Sequence, residues 1–546
     1  MVWYRGLAAL ALATASLIMT SPSFAAGPLV QAPVGAAEGV SQGDLNVFKG
    51  LPYAQPPVGA LRWTPPKPIE HWEGVRKASR FGAACVQPKA VGGTANIYAD
   101  DPETMSEDCL FLNVWTPKDA RGAPVFVWIH GGALVGGASS ESMYDGSKLA
   151  TQGLVVVSIN YRLGVLGYLA HPGLSAESPD GISGNYGLLD QIEALRWVKR
   201  NIGAFGGDAG NVTIAGESAG GLSVMYLLAS PPARGLFHKA IAESAYMITT
   251  PELKGTRYMP SSEQIGAYLG MKLKAPDVAA LRAMDAEKIT NEAAAAGFLP
   301  FAAIDGHVLK KQLVETFDAG EQAPVPLIAG SNSGEIRSLL SLVPPAPQTP
   351  GDYVAIINKQ YGELAPAFLK LYPPSSMRES MLATTRDAMY GWTAERMAKK
   401  QTAIGQPAYL YWWDHAYPAA EAKGLHGFHA SELPYVFGTL DTPPPNWPKI
   451  PDTPAEHRLS ADMTSYWATF AKTGRPTAPG APDWPKYDGD GAYMHITDRP
   501  HPSTHVTPGA YALHEEVVCR RRAANVSWVI NYGVGSPPLP PKAPGC

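Results

Sequence analysis

Short apolar runs, each closed by a turn signal, recur along the chain. Those at 125–129 (VFVWI), 155–159 (VVVSI), 212–215 (VTIA) and 326–329 (PLIA) read as strands of a parallel sheet buried on both faces. Segment 188–202 (LLDQIEALRWVKRNI) spaces its apolar residues at the helical period, so a helix is expected between the second and third of these strands. Strand, helix, strand in that order predicts a right-handed crossover and a parallel core. The run 408–413 (AYLYWW) predicts a further strand, and helices are expected over 387–400 and 461–472. No internal repeat or Gly/Ser linker divides the chain. One large α/β domain over 26–546, ending in the proline-rich tail 533–546 (GVGSPPLPPKAPGC), is the simplest organisation.

Composition narrows the function classes. Of 546 residues 45% are hydrophobic and 17% charged, which supports a large core and excludes disorder as the main state. The formal net charge of −4, with no basic block, leaves no electrostatic footprint for nucleic acid. The 55 glycines and 51 prolines predict many tight turns and long loops.

Residues 1–25 read as a signal peptide: Arg5 flanks an apolar run at 6–19, and Ser23-Phe24-Ala25 forms a small-x-small cleavage site. That run is shorter than the ~20 residues needed to cross a bilayer. Export to the periplasm or medium is expected, with no stable membrane anchor after cleavage. Cys85, Cys109, Cys519 and Cys546 fit an oxidising compartment, and four cysteines allow three pairings. No Cys-x-x-Cys or His-Glu-x-x-His pattern occurs, so no metal and no cofactor are expected.

Gly216-Glu217-Ser218-Ala219-Gly220 is a G-x-S-x-G turn between the apolar run 212–215 and a helix-like stretch at 221–228. In that context the turn lifts the Ser218 hydroxyl out at the carboxyl end of the sheet. It also aims the first helix amides at whatever binds there. Ile129-His130-Gly131-Gly132-Ala133 places a second glycine turn after a strand. Backbone amides on such a turn can stabilise the oxyanion of an acyl-transfer intermediate.

These motifs bring a family into view. Phe48-Lys49-Gly50-Leu51-Pro52-Tyr53-Ala54-Gln55-Pro56-Pro57, Glu107-Asp108-Cys109-Leu110, Asn160-Tyr161-Arg162, Gly184-Asn185-Tyr186-Gly187-Leu188-Leu189-Asp190-Gln191 and Phe205-Gly206-Gly207-Asp208 stand in order along the chain. With the Ser218 turn and His429-Ala430-Ser431-Glu432-Leu433-Pro434-Tyr435, the sequence resembles the type-B carboxylesterases of the α/β-hydrolase superfamily. The resemblance implies a large, mostly parallel sheet flanked by helices, with long loops forming a gorge. It also implies a nucleophile at Ser218, a general base at His429 and an acid at Glu335. Oxyanion donors would be the amides of Gly132, Ala133 and Ala219. A Cys85–Cys109 bridge follows from the same likeness, and Ser244 matches a serine near the site that supports the histidine.

The match has departures. Gly334-Glu335-Ile336 stands where the family usually has Asp-Glu-Gly, and Ala245 replaces a usual glycine after Ser244. No tryptophan lies between Cys85 and Cys109, which disfavours a cholinesterase. Leu134, Tyr246 and Phe298 are expected pocket residues. The expected activity is hydrolysis of a small-molecule carboxylic ester by an exported serine esterase, as monomer or homodimer. Amidase or lactonase chemistry on the same residues is the alternative, and a non-catalytic binding protein on this scaffold is a second class.

Overall fold

The structure is a computed structural model that describes Met1, residues 27–88, 97, 98, 100 and 102–546. The signal-peptide assignment at 1–25 therefore falls, apart from Met1, outside the described residues.

The main sheet has 11 strands. In chain order they are β1 (Val40–Gln42), β2 (Leu45–Pro52), β3 (Phe111–Pro117), β4 (Ala123–Ile129), β5 (Val155–Ile159) and β6 (Gly207–Glu217). Then follow β7 (Lys239–Glu243), β8 (Leu327–Asn332), β9 (Ala408–Trp413), β10 (Ala492–Ile496) and β11 (Pro500–Thr504). Their spatial order is β11-β10-β9-β8-β7-β6-β4-β5-β3-β2-β1. From β10 across to β5 every pairing is parallel; antiparallel strands finish both edges.

The strand pleat explains why the central runs are apolar without alternation. Val125, Val127 and Ile129 point to one face and pack with Val155, Val157 and Ile214 against Leu195 and Trp197 of helix α1 (Tyr186–Asn201). Phe126 and Trp128 point to the other face. There they meet Trp467 and Phe470 from helix Pro454–Thr473. Each such side chain removed from water is worth roughly 1.5–3 kcal/mol. A sheet covered on both sides admits a polar side chain mid-strand only where it is hydrogen-bonded, as Ser158 is: its Oγ accepts from Asn113 Nδ2 (3.0 Å) and donates to the Ser139 carbonyl oxygen (3.0 Å).

The parallel register matters most for function. Gly216 lies beside Ile129, Glu217 beside Glu243, and Glu243 beside Gly330. Strands β4, β6, β7 and β8 therefore end at a common rim, and the residues that follow them converge there.

The expected core strands are present: those at 155–159 and 408–413 have the expected bounds, those at 125–129 and 212–215 extend to Ala123–Ile129 and Gly207–Glu217, and that at 326–329 runs over Leu327–Asn332. Two helices depart from expectation. The helix expected over 461–472 starts earlier, at Pro454, where Thr453 caps the N-terminus by accepting from the Glu456 amide. Of the segment expected as a helix over 387–400, Asp387–Gly391 is a π-helical turn that follows helix Met377–Arg386, and the remainder lies in the α-helix Trp392–Ala403 as expected. The expected bridge is formed, Cys85 pairing with Cys109, and Cys519, whose pairing the sequence left open, is bonded to Cys546. Among the described residues, no helix is long and apolar enough to cross a membrane.

Candidate active site

Ser218 sits between β6 and helix α2 (Ala219–Ala229), with φ 56° and ψ −120°. A non-glycine residue held there costs on the order of 1–3 kcal/mol, which surrounding packing must offset. The flanking glycines make the turn sterically feasible. A methyl group at Gly220 would stand 2.1 Å from the Ile129 carbonyl oxygen, and one at Gly216 2.6 Å from the Gly220 carbonyl carbon. The close approach also brings the His130–Gly131 turn over the serine, since a methyl at Gly131 would lie 3.3 Å from Ser218 Cβ.

That turn continues through Gly132 at φ 98°, Ala133 at φ 56° and Leu134 at φ 60°. The Gly132 carbonyl accepts from the amides of Val135 and Gly136 (2.9 and 3.0 Å). His130 stabilises the turn from within: its Nδ1 lies 2.9 Å from the Gly131 carbonyl oxygen, and its ring stacks on Tyr161 at 4.5 Å. Burial pushes His130 down to about 4, so it stays neutral at neutral pH and Nδ1 can serve as the donor.

Glu335 and His429 arrive on two loops that are stitched together. The Gly334 amide donates to Gly427 O (2.7 Å), and Asn332 Nδ2 donates to Phe428 O (2.8 Å). A side chain at 334 would collide with the Leu425 carbonyl oxygen at 2.3 Å, so glycine is required for this approach. Both carboxylate oxygens of Glu335 are used. Oε1 accepts from Ser244 Oγ (2.6 Å) and from the Asn332 amide (2.8 Å), while Oε2 lies 2.5 Å from His429 Nδ1. Glu335 and Ser244 are wholly buried, and His429 is nearly so.

The far side of the imidazole faces the nucleophile turn. His429 Nε2 lies 3.1 Å from Oε1 of Glu217, the residue before Ser218, a close approach that lacks hydrogen-bond angles. Glu217, Glu243 and Glu432 form a buried acidic patch beneath the site. Desolvation, reinforced by neighbouring carboxylates, raises Glu217 and Glu243 well above the usual range and Glu432 to about 7. Trp467 Nε1 donates to Glu243 (2.9 Å), and Asn332 Nδ2 donates to Glu432 (2.5 Å).

Aromatic rings wall the histidine. Tyr390 lies 5.3 Å from it, and Tyr246 meets Tyr390 edge-on at 6.0 Å. Tyr98, from the loop closed by Cys85 and Cys109, presents an edge at 6.3 Å and donates to the His429 carbonyl oxygen (2.9 Å). Leu134 belongs to the glycine turn and is buried. Phe298 packs elsewhere, in the apolar cluster of Trp63, Leu169, Ile289 and Ala293. Sequence reasoning did not single out Asn332, Glu217, Glu432, Tyr98 or Tyr390. Glu217 and Glu432 could have been flagged as carboxylates inside the two motifs. Tyr98 carries no local signal. Among the described residues, no three His, Cys, Asp or Glu side chains are placed to hold a metal ion.

A mixed sheet flanked by helices, with a serine turn after a central strand and an acid and a histidine delivered from later strand ends, defines an α/β-hydrolase. Residues 26–513 match the family model described as the carboxylesterase family, and the chain belongs to that family. It is 38% identical over 467 residues to the para-nitrobenzyl esterase of Bacillus subtilis (strain 168), covering 84% of this chain and 92% of the relative. It is 35% identical over 479 residues to the fumonisin B1 esterase of Sphingopyxis macrogoltabida, covering 84% of each. A solved structure of PNB esterase superposes with a TM-score of 0.77 at 33% identity, over 89% of this chain and 99% of that one. The chain is a carboxylic ester hydrolase.

Proposed function

We propose that this protein is an exported serine carboxylesterase that works through an acyl-enzyme on Ser218. The observation that carries the reading is the 2.5 Å contact between Glu335 Oε2 and His429 Nδ1, with Nε2 turned toward the serine turn. Glu335 fixes the tautomer with the proton on Nδ1, leaving the Nε2 lone pair to accept the Ser218 proton. The serine oxygen attacks the ester carbonyl carbon, and the carbonyl π electrons move onto oxygen. The amides of Gly132, Ala133 and Ala219 hold that charge, each donor worth roughly 3–4 kcal/mol of barrier. Collapse breaks the bond to the alcohol oxygen, which takes the proton from His429 Nε2. Water then attacks the acyl group, delivering its proton to His429 and returning it to Ser218 as the acid leaves.

Uncharged aryl and alkyl esters are the substrate class this site favours, because the rings of Tyr98 and Tyr390 wall the histidine. The relatives' names make para-nitrobenzyl esters and fumonisin B1 sensible members of a test panel. Export is supported by the leader-like residues 1–25 and by two disulfides. Amides and lactones would pass through the same steps, so a panel of p-nitrophenyl esters, anilides and lactones separates these activities. A burst of p-nitrophenol equal to one per chain, absent in Ser218→Ala, is expected. Ester turnover retained by Ser218→Ala would remove the acyl-enzyme reading.

A further inference from the structure

The π-helical turn at Asp387–Gly391 touches the candidate catalytic elements from behind. π-turns inside helices recur at functional sites, because one extra residue per turn re-aims side chains. Here the residue just before the turn, Arg386, sends Nη1 to the carbonyl oxygen of Ser333 (3.1 Å), two positions before Glu335. Its Nε donates to Asp387 Oδ1 at 2.7 Å, and the guanidinium lies over the Trp412 ring at 4.9 Å. Asp387 is itself held: Oδ2 accepts from Tyr372 OH (3.0 Å), and that hydroxyl also lies 3.0 Å from His514 Nε2. Asp387, Tyr372 and His514 are buried. Inside the turn, Tyr390 presents its ring to His429. Two residues beyond the turn, Thr393 Oγ1 accepts from the Met247 amide (2.9 Å) in the loop that follows Ser244.

We infer that Arg386, aimed by Asp387, is a positioning residue for the catalytic acid: it fixes the main chain at Ser333 so that Glu335 meets His429. The inference rests on the serine-esterase reading. Arginine suits the task because its planar fork can bond two acceptors in fixed directions, whereas a lysine ammonium can satisfy one while the other drifts. A purely electrostatic role would tolerate that exchange; a positioning role would not. Neither residue is placed in contact with substrate, so the loss belongs in kcat and not in KM.

The test compares Arg386→Lys, Asp387→Asn and the double variant in the full chain, with kcat expressed per active site titrated by the p-nitrophenol burst. Each single variant should lose about tenfold or more in kcat with KM within about twofold, and the double variant should lose no more than the worse single. Because Arg386→Lys keeps the charge but loosens the carboxylate's hold on the imidazole, the acid limb of its kcat/KM profile should move down by about half a pH unit. Should either variant fail to fold, Tyr372→Phe, which deletes one hydroxyl, should give a smaller kcat loss with the limb moving the same way. The His429 Nδ1 proton signal, followed by NMR in histidine-labelled protein, reads the contact without turnover. It should be strong in the unmodified chain and shift or broaden in the variants. Wild-type kcat and pH profile in Arg386→Lys, additive losses in the double variant, or an unchanged Nδ1 signal would each overturn the inference. Absence of Ser218-dependent turnover in the unmodified chain, with the Nδ1 signal responding as expected, would instead overturn the esterase reading alone.

Discussion

Ser244 Oγ donates to Glu335 Oε1 at 2.6 Å, on the opposite oxygen from the one that faces His429. The carboxylate is therefore fixed from two sides, with the Asn332 amide as a third anchor. A freely rotating glutamate would hold its histidine only part of the time. This one has no room to turn.

The first prediction follows from that clamp. Glu335→Gln should lower kcat by roughly 10⁴, because an amide can donate to Nδ1 and so favour the wrong tautomer. Ser244→Ala should cost less, about 10–100-fold, the equivalent of one lost hydrogen bond to a charged group. Steady-state kinetics on a p-nitrophenyl ester checks both, and a Ser244→Ala enzyme with normal kcat would remove the clamp from the mechanism.

Ser218→Ala should abolish turnover down to a residual at least roughly a thousandfold below normal, with the proposed oxyanion donors left in place. Circular dichroism should show an unchanged fold. The alanine variant should still bind a slow substrate analogue, which calorimetry can measure.

Glu432 links stability to pH. Its folded-state pKa of about 7 lies above the ordinary 4.5, so the folded chain holds the proton more tightly than the unfolded chain. The contribution is complete below about pH 4.5 and disappears as pH rises through 7. Glu217 and Glu243 are raised in the same direction. Glu432→Gln, which keeps an acceptor for Asn332, should therefore raise the melting temperature more at pH 8 than at pH 5. An equal effect at both values would mean that Glu432 carries no buried charge.

Gly220→Ala should misfold the serine turn. The added carbon would meet the Ile129 carbonyl oxygen at 2.1 Å, inside a sheet that cannot yield. Loss of soluble protein, or of the burst without loss of fold, is the expected result; wild-type kinetics would contradict the packing argument.

The C-terminal bridge closes a span of 27 residues between Cys519 and Cys546. Loop-closure entropy alone assigns it about 3–4 kcal/mol. Replacing both cysteines with serine should lower the melting temperature and expose the tail to proteolysis near 533–546, which limited digestion followed by mass spectrometry can map.

Much of the fold was legible in the chain, for a physical reason. A strand covered on both faces is apolar at nearly every position, so the runs at 125–129 and 155–159 announced themselves, Ser158 being the one polar residue in them. Edge strands such as β1 and β11 lack that constraint and gave no signal. The serine turn was readable because its glycines answer to sterics within five residues. Glu335 and His429 were readable only through likeness to a family. Their meeting depends on the Gly334–Gly427 and Asn332–Phe428 contacts between loops far apart in sequence. Likewise, nothing local distinguishes the π-turn at Asp387–Gly391 from an ordinary helix, because the apolar spacing is nearly the same. Tyr98 shows the same limit: it meets His429 from 331 positions away in sequence, and nothing local marks it.

The most direct measurement of the central claim is the site of modification by a fluorophosphonate. The reagent should label one residue per chain, and peptide mass spectrometry should find the adduct on Ser218. His429→Ala should slow that labelling by orders of magnitude in the folded protein. An adduct on another residue, or ester hydrolysis that persists with Ser218 unlabelled, would contradict the account.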